Sequence, residues 1–217
     1  MIEEYEILIE EDNLQVYFES VKPLIDNALR ENLPTNLETE ITFPFNPIFA
    51  CLLILSAEVC GGKLENVLNA AVSVEFINKS SQILSEDATT AISLLNVTYG
   101  AIFESKNLSA ERQISAHKEL VDCLSANKLS DLKNSNLIRL SMRIGAVLSG
   151  ADYVQLNAIT RFADLLEKEL SDKNTEVFFT PNNFIEQAKR ILQDEFGITT
   201  QSRLLCDLAD FIVEEKV

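Results

Sequence analysis

An all-α chain folded as a single helical bundle is what the amino-acid sequence predicts, and three observations carry that expectation. Apolar residues recur at helical spacing along most of the chain, as at Leu64, Val67, Leu68, Ala71, Val74 and Ile77. β-Branched residues form no alternating runs of the kind a half-buried strand needs. Gly (6) and Pro (5) are scarce in 217 residues, which suits helices joined by short loops.

The elements follow in order. A first helix is expected from about Asn13 to Glu31, with Pro23 inside it as the expected bend. The next segment, NLPTNLETEITFPFNP, carries too many prolines and polar residues for regular helix. From Pro47 the run IFACLLILSAEVC reads as a buried core helix stopped by Gly61-Gly62. A long helix through KLENVLNAAVSVEFINKSSQIL comes next. Further helices are expected near Ala88–Glu104, Ser109–Ala126, Ser135–Ser149, Ala151–Leu170, Pro181–Asp194 and Thr199–Glu215. Thr180 and Pro181 form the expected cap and first turn of the penultimate helix. The stretches 48–60 and 137–151 are apolar enough to belong at the centre of the bundle. No repeat or linker divides the chain, so 1–217 is read as one domain: an N-terminal helix and irregular segment over 1–43, and a core bundle over 44–217.

Charge narrows the function classes. A net charge of −16 repels phosphate backbones and anionic membrane surfaces, so no nucleic-acid partner is expected. The acidic start MIEEYEILIEED is opposite in charge to a signal peptide, and the most apolar run is too short to span a bilayer. A cytoplasmic protein with no membrane span is the expectation. Cys51, Cys60, Cys123 and Cys206 are spread without a CxxC pair and read as small buried apolar residues; with one histidine, no zinc site is legible. His117 lies between Ser115 and Lys118 on a polar face with no nucleophile or acid partner in view.

Several stretches, taken in order, resemble the trans-isoprenyl diphosphate synthase family. Its pattern GKRxRP, buried helix, Gly-Gly, then AxxxExxHxxSLxHDDxxD is echoed by Pro47, Gly61-Gly62, Ala71, Glu75 and Ser81. Its KTxxLxxxxxxxGAxxxG is echoed by Lys133, Leu137, Gly145, Ala146 and Gly150. The resemblance implies a shortened isoprenoid synthase fold. It also implies two aspartate motifs on facing helices that grip Mg²⁺ against a diphosphate.

At those positions this chain departs from the family. The first motif becomes Ser85-Glu86-Asp87-Ala88-Thr89, with one acid in phase. The second falls on Leu170 to Thr175, where Asn174 and Thr175 replace the aspartates and Asp172 is out of phase. The cations of GKRxRP are replaced as well, over Thr42 to Pro47. Glu86 and Lys133 remain as candidate ligand-binding residues, with no catalytic residue and no metal site assigned. A second metal pattern, Asn96, Gly100 and Glu104 at i, i+4 and i+8, lacks its hydroxyl and lies too close to Glu86. Asp164, Lys168 and Asp172 at i,i+4 spacing read as a solvated face.

The reading that follows is a non-catalytic protein of this fold that acts by association. It would be a homodimer, or a heteromer with an active prenyl synthase as its partner or regulatory subunit. The balance leans against an enzyme and needs no cofactor. One alternative is a binder of isoprenoids or lipids in an apolar cavity. The other is a residual prenyl diphosphate synthase using Mg²⁺ with Glu86, Asp172 and Lys133.

Overall fold

The computed structural model describes residues 13–33, 37, 47–105, 107–172 and 183–215, with the side chains of 171–172 excepted. They form α1 (Leu14–Asn32), α2 (Ile48–Val59), α3 (Leu64–Ile83), α4 (Ala88–Phe103), α5 (Ala110–Ala126), α6 (Asn134–Ser149), α7 (Tyr153–Asp172), α8 (Phe184–Phe196) and α9 (Thr200–Glu215). A 3₁₀ turn at Leu129–Asp131, not expected from the sequence, links α5 to α6 and packs on α3. Among the described residues there is no strand.

Helix α2 is the axis of the bundle. Every residue from Ile48 to Ala57 is buried, and α3, α6 and α9 pack around it. A helix apolar on all sides has no face for water, so it must be surrounded. Helix α1 closes one side with Tyr17, Val21, Ile25, Ala28 and Leu29, spaced three to four residues apart. It continues through Pro23 without ending there. Helices α4 and α5 flank α3 and α6, while α7 and α8 form a hairpin on the opposite flank.

The ends are set by local chemistry. Asn13, Ser109 and Asn183 cap α1, α5 and α8 by accepting the amides of Gln15 (2.8 Å), Arg112 (3.4 Å) and Glu186 (3.1 Å). Asp152 with Gln155, and Thr199 with Ser202, form reciprocal boxes ahead of α7 and α9. Helix α8 starts at Phe184 behind Asn183. Thr180 and Pro181 lie outside the described residues. Helix α6 ends at Gly150 with φ 82°, a left-handed stop where Ala151 donates back to Ala146 (3.0 Å).

Helices α2 and α6 approach closely. A Cβ built at Gly145 would stand 2.2 Å from the Leu53 carbonyl oxygen and 3.1 Å from the Ala57 nitrogen. Backbone meets backbone there, so only hydrogen fits. Ser56, buried on α2, donates to the Met142 carbonyl at 2.7 Å and stitches the same crossing. Gly62 is confined in the same way, with a built Cβ 2.1 Å from Ser149 Oγ. A polar clamp ties α5, α6 and α7 together: Arg143 grips both Glu119 oxygens at 2.7 Å and reaches Thr160 Oγ1 at 2.6 Å.

Gly145→Ala is therefore expected to lower stability by about 1–3 kcal/mol through overpacking, and Gly145→Val to cost more. Equilibrium urea unfolding followed by circular dichroism measures both.

Candidate functional site

The turn between α3 and α4 holds the first motif positions. Asp87 caps α4: its Oδ1 accepts the amides of Thr89 (3.1 Å) and Thr90 (3.0 Å), and its Oδ2 accepts the Thr90 hydroxyl (2.5 Å). These bonds, that from the Thr90 hydroxyl foremost, hold its carboxyl below the usual range. Both oxygens are thus engaged in starting a helix. Glu86 is exposed in the turn, and no hydrogen bond or ion pair joins it to Lys133 among the described residues. Lys133 precedes α6, its backbone amide donating to Asn136 Oδ1 at 3.0 Å and its side chain exposed.

The second motif begins at the last residues of α7, and Asn174 and Thr175 lie outside the described residues, as do Thr42 to Asn46. Among the described residues, no group of three or more histidines, cysteines, aspartates or glutamates is placed to hold a metal ion. Mg²⁺ needs several oxygen ligands in octahedral geometry. With Asp87 committed to its cap and Glu86 alone, the first motif positions do not fit that ion. Asn96, Gly100 and Glu104 are exposed on α4.

Glu75, matched to the family pattern by position alone, has a structural task. It is 2% exposed and its Oε1 accepts the Ala50 amide at 2.9 Å, with the Phe49 amide and the Asn78 side chain as further donors. A carboxylate on α3 thereby meets the amide end of α2 inside the core. Burial raises its carboxyl to about 7 against the pull of those donors. Glu58, on the other end of α2, is also raised to about 7, by burial first and then by Glu65.

His117 has no nucleophile or acid partner among the described residues, and its ring packs on aromatic ones. Its two ring nitrogens lie 2.9 Å from the carbonyl oxygens of Gln113 and Tyr99, and its ring stacks on Phe103 with centroids 3.7 Å apart. It joins α5 to α4. Of the cysteines, Cys51 and Cys206 are buried as expected, whereas Cys60 and Cys123 are half-buried. Burial raises all four thiols, so none is primed as a nucleophile.

The feature that sequence reading missed lies on the outer faces of α4 and α5, the two helices that His117 links. Ile92 (55% exposed), Tyr99 (36%) and Phe103 (54%) run along the outer face of α4, beside Ile114 (61%) and Val121 (46%) on α5. The signal was present: α4 carries a second apolar stripe at 92, 99 and 103, apart from the buried Ala91, Leu94, Thr98, Ala101 and Ile102. A helix apolar on both sides cannot satisfy both against its own core.

No protein-family model and no curated protein matches the chain's sequence. Solved structures match its fold. An FPP/GFPP synthase from Zymomonas mobilis, in an apo structure, aligns at TM-score 0.68 and 15% identity, covering 93% of this chain and 99% of that one. The geranyl diphosphate synthase small subunit from Antirrhinum majus aligns at TM-score 0.65 and 17% identity over 93% and 99% of the two chains. A deletion mutant of the heterotetrameric geranyl pyrophosphate synthase of mint aligns at TM-score 0.64 and 13% identity over 90% and 99%. The chain therefore has the all-α isoprenoid synthase fold that the order of its partial motifs implied. Among the described residues no helix is long and apolar enough to cross a membrane.

The buried acids make stability depend on pH. Glu75 and Glu58 each have a folded value of about 7 against 4.5 in the open chain, so the native state holds their protons longer. Their stabilising contribution is complete below about pH 4.5 and is lost as pH rises through about 7. Glu75→Gln keeps an acceptor for α2 without the charge. It is expected to flatten that fall and, at about pH 8, to exceed the parent stability by on the order of 1–3 kcal/mol. Urea midpoints across pH check this.

Proposed function

We propose that this chain is a non-catalytic subunit that associates with an isoprenoid synthase through the outer face of α4 and α5. The observation that carries the proposal is the exposed stripe of Ile92, Tyr99, Phe103, Ile114 and Val121 on two adjacent helices. Leaving such a surface in water is costly at roughly 25 cal/mol per Å² of apolar area, and contiguous patches of this kind mark protein contacts. The His117 ring, stacked on Phe103 and within hydrogen-bond reach of a carbonyl on each helix, bridges the face, which lowers the ordering cost of binding.

The state of the motif positions supports the same reading. Asp87 is engaged as a helix cap, and Glu86 and Lys133 are exposed and unlinked to each other. The similar structures include one named a small subunit and one from a heterotetrameric enzyme, so the fold is compatible with unequal subunits. The occupant the reading commits to is a helical prenyl synthase subunit, with self-pairing as the competing outcome.

Co-expression with an active prenyl diphosphate synthase, followed by light scattering on the eluted species, tests this. A stoichiometric complex is expected, and Phe103→Glu with Ile114→Glu is expected to weaken it at least about a hundredfold, as charges in an interface core do. A chain that remains monomeric alone and in the mixture defeats the proposal. Mg²⁺-dependent turnover of an allylic diphosphate by the purified chain, lost in Glu86→Ala, would establish the residual synthase instead.

A further inference from the structure

Helices α7 and α8 enclose a surface cleft of about 400 Å³, and its charge is opposite to that of the molecule. The chain carries 18 basic and 34 acidic residues. Lys22, Lys63, Lys118, Arg139, Arg143 and Lys189 make ion pairs with acids. Arg161, Lys168 and Arg190, which line the cleft, make no ion pair among the described residues.

Asp164, Glu186 and Asp210 are bound to other cations. Asp164, the cleft's own acid, turns to Arg139 on α6, whose Nη1 lies 3.2 Å from Asp164 Oδ1. No ion pair joins Asp164 to Lys168 among the described residues. Lys189, next to Arg190 on α8, takes both Glu186 (3.2 Å) and Asp210 (2.7 Å). Three cations are thus left facing one concavity whose apolar floor is Leu165 and Ile191.

We propose that this cleft is a binding site for a small oligophosphate, held by Arg161, Lys168 and Arg190 without a metal ion. Arg161 and Lys168 are two helical turns apart, about 10 Å along α7, and Arg190 reaches in from α8 across the cleft. Long side chains converging over that distance suit charge spread along a phosphate chain rather than a single anion. The two guanidinium groups can each take phosphate oxygens in a two-pronged grip. Leu165 and Ile191 offer an organic substituent a dry surface. The volume suits a small molecule, and the net charge of −16 repels long polyanions. The site shares no residue with the motif positions or the α4–α5 face, so it stands apart from the association reading.

Isothermal titration at low salt, without Mg²⁺, compares tripolyphosphate, ATP and a glutamate-rich peptide on the full chain. Binding of tripolyphosphate is expected, with Arg161→Glu plus Arg190→Glu weakening it at least about tenfold and Lys128→Glu, on an exposed turn, leaving it within about twofold. Tighter binding of ATP would name a nucleotide as the source; equal binding would name the phosphate chain itself. Absence of binding to the parent protein, equal loss in Lys128→Glu, or peptide binding as tight as that of tripolyphosphate would each overturn the assignment. Far-UV circular dichroism confirms that the charge-reversed proteins are folded.

Discussion

The bundle depends on one contact, the crossing of α2 and α6 at Gly145. Because Gly145 has no side chain, the Leu53 carbonyl and the α6 backbone come together where a Cβ would stand 2.2 Å from that oxygen. That approach lets Ser56 reach the Met142 carbonyl and brings the buried faces of both helices into one core. Dense packing of this sort tolerates little change in volume. At one end of the crossing Gly62 is pressed against Ser149, and Gly150 turns the chain out of α6.

Around that crossing, charge is used for construction. Glu75 is buried against the amide end of α2, Asp87 starts α4, and Arg143 clamps α5 to α7 through Glu119 and Thr160. Each is a polar group whose donors or acceptors are met by protein. A carboxylate occupied by backbone amides has little left for a metal ion. What this arrangement leaves open to solvent lies elsewhere: an apolar face on α4 and α5, and a basic cleft between α7 and α8.

Much of the fold was legible in the sequence. Helical periodicity, scarce glycine and proline, and the Gly61-Gly62 stop placed nearly every helix to within a few residues, because those signals are local. Helix α8 begins at Phe184 behind the Asn183 cap, a few residues beyond the start expected from the sequence. The 3₁₀ turn at Leu129–Asp131 was missed because so short an element has no period to read. Of the site, the solvent exposure of Glu86 and Lys133 and the capping by Asp87 agree with a plain reading of their neighbours, while the partners of His117 lie on another helix and no local pattern could supply them.

By itself the sequence determined the all-α class, the central place of α2, and the absence of paired aspartates at the motif positions, since composition, period and spacing are properties of the chain. Tertiary structure alone decided which way each face points. It turned the second apolar stripe of α4 outward beside Ile114, directed Asp164 to Arg139 and away from Lys168, and left three cations around one cleft. Such pairings depend on which helices become neighbours. That choice is made by packing between residues far apart in the chain, and spacing along the chain does not encode it.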